Sequence, residues 1–326
     1  MNEEYILVAG GAGYIGSHTV KKLKDGGYKV LVVDNLVSGH EWAIKGLQFE
    51  NADIRDRARL EEIFSKYDIS AVMHFAAEIA VPESVQDPLK YYSNNISGTI
   101  SLLEVVKKFG VKYLIFSSSA AVYGIPESGS VKEDAPVKPV NPYGETKAMV
   151  ETILRDCGKA YKLNYVCLRY FNAAGADPSG EIGESHNPET HLVPLILEAA
   201  LDKTPLKIFG TDYSTKDGTC LRDYIHVNDL AEAHILALQY LKDGGKSDIF
   251  NLGNSKGFSV KEIIKTVERV TGLTVEASFN PKRDGDPPIL IANSEKAKSV
   301  LGWEPKYDNL EEIVETAYRW AKSKKS

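Results

Sequence analysis

A glycine-rich turn near the start of the chain restricts the possible fold more than any other feature of the sequence. The apolar run Tyr5–Ala9, typical of a buried strand, leads directly into Gly10-Gly11-Ala12-Gly13-Tyr14-Ile15-Gly16, and a helical pattern follows. Glycines between a strand and a helix let the backbone approach a pyrophosphate, which the amide groups at the helix N-terminus then bind. The spacing therefore predicts the first β-α-β unit of a dinucleotide-binding sheet.

Short apolar runs alternate with helical patterns through the first half of the chain. Further strands are predicted at Val30–Val33, Ala71–Ala76, Lys112–Ser117 and Tyr165–Arg169. These runs are apolar almost throughout, which is typical of parallel strands covered by helices on both faces. The predicted fold class is α/β, a doubly wound parallel sheet (Rossmann) with a second, smaller α/β domain.

The regular pattern stops near Phe171. Residues 172–188 are rich in Gly, Asn, Ser and Pro and predict a functional loop without regular structure. Helices are predicted beyond it near Thr190–Leu201, Val227–Leu241, Val260–Thr271 and Leu310–Lys322. Because no Pro- or Gly-rich linker separates the two halves, we expect a packed interface with a ligand cleft between them.

The composition argues against several classes of protein. The chain carries 39 basic and 45 acidic residues, interspersed, so it has no basic stripe and nucleic acid is not an expected partner. No apolar run reaches the roughly 20 residues of a membrane span, and the first strand leaves no room for a signal peptide, so we expect a cytoplasmic protein. Cys157, Cys167 and Cys220 lack C-x-x-C spacing, so we expect neither a disulfide nor a metal site.

An acidic residue at the end of the second strand indicates which dinucleotide binds. In such folds a carboxylate that accepts hydrogen bonds from the adenosine ribose stands about 20 residues after the glycine turn. Asp34 follows Gly16 at about that separation in the sequence. It would repel a 2′-phosphate, and the adjacent Asn35 and Leu36 carry no positive charge to offset this, so NAD is favoured over NADP. Asp53 is a second candidate, for the adenine edge, although its position alone leaves that assignment open.

Tyr143 and Lys147 stand at positions i and i+4 of a helix that Pro142 can begin, and so share one face. An adjacent ammonium favours the phenolate and can lower the tyrosine pKa from about 10, so that the phenol acts as a base. Ser119, in the serine run that ends the strand before this helix, can orient a substrate oxygen. From position alone, Ser119 is equally well a hydroxyl that caps the strand.

A second Tyr-x-x-x-Lys occurs at Tyr318 and Lys322. It lies on a plain amphipathic helix, and no serine-bearing strand precedes it. The surrounding sequence therefore favours Tyr143 and Lys147 as the functional pair.

Motifs along the whole chain resemble the extended short-chain dehydrogenase/reductase family, and within it the enzymes that epimerise nucleotide sugars at C4. Besides the glycine turn, they are Val72-Met-His-Phe-Ala-Ala, Tyr91-Tyr-Ser-Asn-Asn-Ile-Ser-Gly-Thr, Phe116-Ser-Ser-Ser-Ala-Ala-Val-Tyr-Gly, Asn141-Pro-Tyr-Gly-Glu-Thr-Lys, Arg169-Tyr-Phe-Asn-Ala-Ala-Gly-Ala, Asp217-Gly-Thr-Cys-Leu-Arg-Asp-Tyr-Ile-His-Val and Arg283-Asp-Gly-Asp-Pro-Pro. The resemblance implies an NAD-binding Rossmann domain over residues 1–171, to which a segment near 220–250 returns. It also implies a mainly UDP-sugar-binding domain over residues 172–326.

The resemblance also implies a role for each matching residue. Tyr143 is the base, Lys147 anchors the nicotinamide ribose and lowers the tyrosine pKa, and Ser119 contacts the sugar. The implied cofactor-binding residues are Gly10, Gly13, Tyr14, Ile15, Gly16, Asp34, Asn35, Asp53, Ile54, Phe75, Ala76, Asn94, Tyr143, Lys147 and Tyr170. The implied substrate-binding residues are Ser119, Tyr143, Asn172, Leu192, Arg222, Arg283, Asp286 and Leu290.

The activity implied by the resemblance is reversible C4 epimerisation of UDP-glucose and UDP-galactose through a 4-keto sugar, with NAD held tightly between turnovers. A homodimer is implied, through the helices around Leu89–Phe109 and Pro142–Tyr161. Three departures from the family pattern are Ile79, where some relatives have a lysine that contacts the cofactor, Ala121, where threonine occurs, and Leu290, which gates the hexose pocket. Leu290 leaves open an epimerase for UDP-N-acetylhexosamines or UDP-pentoses.

Other functions on the same scaffold are less well supported. A nucleotide-sugar 4,6-dehydratase needs an extra acid-base pair beside the serine, where this chain has Ala120 and Ala121. A UDP-glucuronate decarboxylase is disfavoured in the same way, and a simple carbonyl reductase would not need Arg222 and Arg283 to hold a nucleotide. A non-catalytic dinucleotide-sensing protein should have lost Tyr143 or Lys147.

Overall fold

The computed structural model describes residues 4–127, 129–282 and 287–324. Its strands are β1 Tyr5–Ala9, β2 Lys29–Asp34, β3 Gln48–Asn51, β4 Ile69–His74, β5 Tyr113–Ser117, β6 Ser130–Val131, β7 Asn164–Tyr170, β8 Asn172–Ala174, β9 Leu206–Phe209, β10 Leu221–His226, β11 Asp248–Leu252, β12 Gly257–Ser259, β13 Ala277–Asn280 and β14 Ile289–Ala292. Its α-helices are α1 Tyr14–Asp25, α2 Arg57–Lys66, α3 Val81–Gln86, α4 Pro88–Tyr91, α5 Thr99–Lys108, α6 Pro142–Tyr161, α7 Leu192–Asp202, α8 Val227–Lys242, α9 Val260–Thr271, α10 Glu295–Leu301 and α11 Leu310–Ser323. Shorter helical turns lie at Glu41–Ile44 and Ala120–Tyr123, and a π-helix at Tyr92–Gly98 joins α4 to α5.

The centre of the fold is a parallel sheet, which has seven strands in the described part of the chain. Its order is β11-β7-β5-β4-β1-β2-β3, and each neighbouring pair runs parallel. The strand order reverses between β1 and β4, which opens a crevice at the carboxyl ends where such sheets bind ligands. The predicted doubly wound α/β class is therefore confirmed.

Apolar side chains cover both faces of this sheet. One core cluster includes Ile6, Val8 and Val32 and contacts α1 and α8, while the other includes Leu7, Leu31 and Leu114 and contacts α2, α5 and α6. Alternate residues of the same strand thus enter opposite cores. This explains why the strands are apolar throughout their length.

A second sheet lies beyond the carboxyl ends of the first. Strand β10 pairs with β12, with β14 and with β8, and β14 pairs in turn with β6. Its strands therefore come from residues before and after position 171, and the sheet links the two halves of the chain. The prediction that residues 172–188 contain no regular element is wrong at its start, because Asn172–Ala174 pairs with Tyr224, Ile225 and His226 of β10.

The rest of the fold consists of a small two-stranded sheet and a third apolar core. Strands β9 and β13 form a separate parallel pair, and a third core cluster, centred on Ile196, Ile263 and Ile313, joins α7, α9 and α11. Among the helices that the structure describes, none is both long enough and apolar enough to span a membrane.

Candidate active site

Helix α6 carries the predicted tyrosine and lysine into the crevice. The side chain of Asn141 caps the helix by accepting a hydrogen bond from the amide of Gly144 at 2.9 Å, and Pro142 occupies the first turn. Tyr143 is 9% exposed and Lys147 is 3% exposed. The Lys147 ammonium lies 5.8 Å from the centre of the Tyr143 ring, so the structure brings the pair together inside the protein.

Ser119 lies where the chain leaves β5. Its hydroxyl hydrogen-bonds to Tyr143 and also accepts from the amide of Ala121 at 3.1 Å, which caps the turn Ala120–Tyr123. The capping role left open for this serine is therefore observed, at the turn Ala120–Tyr123, while its role towards a substrate oxygen stays a prediction. The cap fixes the hydroxyl in the position from which it reaches the phenol.

The electrostatics of the pair differ in one respect from the sequence expectation. Burial raises the pKa of Tyr143, and the hydrogen bond from Ser119 opposes this. Burial lowers the pKa of Lys147 to about 7, and the negative charge of Glu151 opposes this lowering. The expected lowering of the tyrosine pKa by Lys147 is not achieved by the protein groups, because burial disfavours the phenolate and the ammonium donates instead to the carbonyl oxygen of Ser117 at 2.8 Å.

Tyr170 adds a second phenol beside the first. It ends β7, and its hydroxyl forms a short hydrogen bond with Ser117 Oγ. Burial raises its pKa, and so does its proximity to Tyr143. Tyr170 is therefore an uncharged hydrogen-bonding group at the edge of the site.

Asn94 is predicted to bind the cofactor, but its neighbour Asn95 has the larger structural role. Asn95 is 3% exposed. Its amide accepts from the backbone of Glu78 at 2.8 Å and donates to Thr146 Oγ1 at 3.0 Å, while Asn94 donates to Asn95 Oδ1 at 3.0 Å. Both lie in the π-helix Tyr92–Gly98, an irregularity frequent at functional sites. Their adjacent positions in the sequence gave no means of separating the two roles.

A buried ion pair that was not predicted from the sequence anchors the middle of α6. Arg169 on β7 donates to both oxygens of Glu151, at 2.9 and 2.6 Å. Glu151 also accepts from Ser118 Oγ at 2.6 Å, and Arg169 donates to Tyr123 Oη at 2.8 Å. Since Glu151 lies one turn beyond Lys147, this network ties the catalytic face of the helix to the central sheet.

Three of the four glycines in the first turn, Gly10, Gly13 and Gly16, have different steric surroundings. A Cβ atom at Gly10 would lie 2.4 Å from the amide nitrogen of Ala76, and one at Gly16 would lie 2.2 Å from the carbonyl oxygen of Gly10. A Cβ atom at Gly13 would meet its nearest protein neighbour only at 3.4 Å. The protein thus needs glycine at positions 10 and 16 for its own packing, whereas position 13 leaves room for a ligand.

The start of α1 fits the pyrophosphate of a dinucleotide. The helix begins after Gly13, and no side chain of the described residues caps it, so its first amides are available to an anion. Tyr14 Oη donates to the carbonyl oxygen of Gly175 at 2.6 Å, which directs its ring into the 175–191 loop. Ile15 packs against the core. Any contact of these two residues with a pyrophosphate is therefore made by their backbone.

The predicted adenosine-binding residues gather at the ends of β2 and β3. Asp34 accepts from the amides of Ala12 at 3.0 Å and Leu36 at 2.8 Å, and burial raises its pKa. Asn35 donates to Asp53 at 2.9 Å, and the Arg55 guanidinium holds the pKa of Asp53 below its usual range. Each carboxylate oxygen of Asp34 keeps a lone pair that can accept from a ribose hydroxyl.

Three further residues predicted to bind the cofactor, Ile54, Phe75 and Ala76, take part in the protein's own packing. The amides of Phe75 and Ala76, just beyond β4, donate to the carbonyl oxygen of Ala9 at 2.8 and 3.0 Å. They therefore form the floor under Gly10. Ile54 is 4% exposed and packs in the apolar core, so its side chain is structural.

Three of the predicted substrate residues, Asn172, Arg222 and Leu290, lie on strands of the second sheet. Asn172 on β8 donates to the carbonyl oxygen of Asp223 at 2.9 Å, and Leu192 begins α7. Arg222 on β10 is the register partner of Leu290 on β14, and its guanidinium donates to the carbonyl oxygen of Pro287 at 2.8 Å. Arg283 and Asp286 lie outside the described residues.

Leu290 connects the second sheet to the turn that follows Ser119. It is partly buried and packs against the cluster of Ala120, Val122 and Tyr123 that follows Ser119. This contact is compatible with the predicted role of Leu290 as the residue that gates a hexose pocket, which stays a prediction.

Comparison with known proteins identifies the family. A model of the NAD dependent epimerase/dehydratase family matches residues 6–253, which is most of the chain. The chain belongs to this family. Its curated relatives include the UDP-glucose 4-epimerases of Halalkalibacterium halodurans, 54% identical over 97% of this chain and 95% of the relative, and of Lacticaseibacillus casei, 53% identical over 97% and 96%.

Solved structures agree with this membership of the epimerase/dehydratase family. A crystal structure of UDP-glucose 4-epimerase matches with a TM-score of 0.97 and 51% identity over 99% of both chains. The Brucella ovis enzyme, solved in complex with NAD, matches with a TM-score of 0.95 and 48% identity over 98% of both chains. The family's NAD dependence agrees with the dinucleotide-binding turn described above.

Proposed function

We propose that this chain is an NAD-dependent UDP-glucose 4-epimerase, which interconverts UDP-glucose and UDP-galactose. The observation that carries this conclusion is its identity of about 50% with several UDP-glucose 4-epimerases over nearly the whole length of both chains. The group at the crevice is chemically suited to the reaction, because a buried phenol, a serine hydroxyl and an ammonium meet at the carboxyl edge of the sheet.

In this proposal, Tyr143 moves the proton of the C4 hydroxyl. Ser119 hydrogen-bonds the phenol and orients the sugar oxygen, while Lys147 supplies positive charge beside it. Bound NAD would supply the acceptor for the hydride of C4 and its donor back to the opposite face of the 4-keto sugar, and the positive nicotinamide would favour the phenolate of Tyr143. Tyr143 then returns the proton.

The nucleotide has to be held while the sugar turns over. Arg222 is suited to bind phosphate oxygens because its guanidinium presents several donors in a planar fork. Asn172 lies on β8, the strand next to β10, and so on the same sheet as Arg222. Binding that is concentrated on UDP leaves the hexose free to rotate, as epimerisation requires.

The experiment is conversion of UDP-galactose to UDP-glucose by purified protein with no nucleotide cofactor added. Conversion, together with release of NAD when the protein is denatured, supports the proposal. No conversion in either direction, even after NAD is supplied, would overturn it. A 4-keto-6-deoxy sugar product would move the assignment to a dehydratase.

We also propose that the enzyme forms a homodimer through α3 to α6. Several large apolar side chains on these helices are exposed, among them Val85, Leu89, Ile100 and Met149, and such a patch is typical of a protein interface. Light scattering coupled to size exclusion should give the mass of two chains. Ile100→Glu combined with Met149→Glu should give the mass of one, and a wild-type monomer would contradict the proposal.

A further inference from the structure

One loop of the chain brings two carboxylates and two imidazoles together. Glu184, His186, Glu189 and His191 each offer one ligand atom, and these atoms all lie within 4.8 Å of one another. The loop runs from β8 to α7, and the catalytic scheme proposed above uses none of these four side chains.

The histidine–carboxylate separations in this group are close to those between the ligands of one small ion. His186 Nδ1 lies 3.3 Å from Glu184 Oε1 and 3.5 Å from Glu189 Oε2. His191 Nδ1 lies 2.7 Å from Glu184 Oε1 and 3.3 Å from Glu189 Oε1. Four ligand atoms at about 2.1 Å from a central zinc ion stand about 3.4 Å apart.

These close approaches are ion pairs whose atoms are poorly directed for hydrogen bonding. Glu184 Oε1, His186 Nδ1 and His191 Nδ1 are all buried, and none has a hydrogen-bond partner of acceptable geometry among the described residues. Glu184 itself is only 8% exposed. Buried polar atoms without partners are costly, which indicates that the group is arranged for a ligand.

Imidazolium–carboxylate pairing is the competing interpretation of the cluster. Burial lowers the pKa of both histidines, but the carboxylates of Glu184 and Glu189 outweigh it and raise the pKa of His186 to about 9 and of His191 to about 10. Such pairs should direct their N–H groups at the carboxylate oxygens. The nitrogen–oxygen distances are short, but the two Nδ1 atoms and Glu184 Oε1 do not meet the geometry of a hydrogen bond.

We propose that Glu184, His186, Glu189 and His191 bind one zinc ion in a closed, structural, four-ligand site. Imidazole nitrogen and carboxylate oxygen are ligands that zinc accepts in tetrahedral geometry. Calcium and magnesium are disfavoured, because they prefer six or more ligands that are all oxygen. Since all four ligands come from the protein, no position remains for a reacting water.

The surroundings show what such an ion would stabilise. The carbonyl oxygen of Glu184 accepts from Trp320 Nε1 on α11 at 2.7 Å, and His40 Nε2 lies 2.8 Å from the carbonyl oxygen of Ser185. The ring of His186 stands edge-on to Tyr14 at 6.4 Å, at the start of α1. Zinc would therefore hold the loop against the elements that frame the dinucleotide-binding turn.

The test uses full-length protein without a histidine tag, produced in medium containing zinc and dialysed free of loose metal. Elemental analysis should find about one zinc ion per chain, as a structural site retains its metal. Removal by a strong chelator should lower Tm by at least about 3 °C, and added ZnCl2 should restore it. Less than about 0.1 zinc per chain, with no change of Tm on adding ZnCl2, would overturn the proposal.

Cobalt provides a second readout that does not depend on any variant. Co²⁺ in the chelator-treated protein should give the strong visible absorption of a four-coordinate ion. The weak absorption of a six-coordinate ion would contradict the closed site.

Variants then locate the ion. Glu184→Gln and His191→Gln should each lose the retained zinc, whereas Glu181→Gln, an exposed acid of the same loop, should keep it. Equal zinc retention in all three variants would place the metal elsewhere and overturn the proposal. None of these measurements requires epimerase activity.

Discussion

Lys147 donates a hydrogen bond to the carbonyl oxygen of Ser117 at 2.8 Å, so that its ammonium is held against the end of β5 rather than directly on the phenol of Tyr143. The position of this charge depends on the sheet as well as on the helix that carries it. A shift of α6 relative to β5 would therefore change the distance between this ammonium and the phenol of Tyr143.

The buried ammonium gives the protein a pH-dependent stability. The folded pKa of Lys147 is about 7, whereas an unfolded lysine titrates near 10.4. Between these values the unfolded chain binds the extra proton, so the free energy of unfolding rises with pH, and below pH 7 the folded state bears the full cost of the buried charge. We expect urea titrations of nucleotide-free protein at pH 6.5 and 9 to show this rise relative to Lys147→Met. Parallel pH dependence in the two proteins would contradict it.

Replacement of two glycines by alanine separates cofactor binding from folding. At Gly13 an added Cβ atom meets only the carbonyl oxygen of Gly10 at 3.4 Å, whereas at Gly16 it lies 2.2 Å from the same oxygen. Gly13→Ala should retain a Tm close to that of the wild type when both are nucleotide-free, and lose the NAD that copurifies. Gly16→Ala should also unfold at lower temperature. Retention of NAD by folded Gly13→Ala would argue against a pyrophosphate at this position.

The Glu151–Arg169 pair should be costly to break on one side only. Both side chains are almost completely buried, and a single Glu151→Gln change leaves the guanidinium without its counter-ion, so we expect a loss of about 3–5 kcal/mol in the free energy of unfolding. The double change Glu151→Met with Arg169→Met should recover most of the lost free energy of unfolding.

The exposed pair of Lys256 and Asp308 provides the control for that measurement. Asp308→Asn should change stability by less than about 1 kcal/mol, because water screens this ion pair. A similarly small effect of Glu151→Gln would show that the buried network does not support α6.

Leu290 should determine how large a sugar the pocket admits. It packs against the turn after Ser119 and stands beside Arg222. Leu290→Ala should raise the ratio of kcat/KM for UDP-N-acetylgalactosamine to that for UDP-galactose by about tenfold or more, and Leu290→Tyr should lower it. Ile291→Ala, at the next position on the same strand, serves as control. An unchanged ratio in both Leu290 variants would remove this residue from the pocket.

The central sheet was largely predictable because its strands are buried on both faces. The predicted and observed bounds of β1 are identical, and those of β2, β4, β5 and β7 differ by one or two residues. Strand β3 was missed because Gln48–Asn51 is a short edge strand with polar side chains. Strand β8 was missed because the three residues Asn172–Ala174 become a strand only through their pairing with β10, which local sequence does not encode.

The identities of the residues in the candidate site could be predicted from the sequence, but their pKa values could not. Motif spacing placed Tyr143, Lys147 and Ser119 correctly on their elements, whereas burial and the Ser117 hydrogen bond, which decide the pKa values, depend on the assembled sheet. The zinc proposal departs from the expectation of no metal, which was based on cysteine spacing. The signal that could have suggested it is the spacing Glu-x-His-x-x-Glu-x-His at 184–191.

The most direct test of the proposed function compares two tyrosines that share the Tyr-x-x-x-Lys pattern. Conversion of UDP-galactose to UDP-glucose, with no NAD added, should fall by about two to four orders of magnitude in Tyr143→Phe and stay near the wild-type rate in Tyr318→Phe, whose site lies on α11. Retention of copurified NAD in Tyr143→Phe would show that the loss is chemical. Near-normal conversion by Tyr143→Phe would contradict the account, because a base at another position would then carry the reaction.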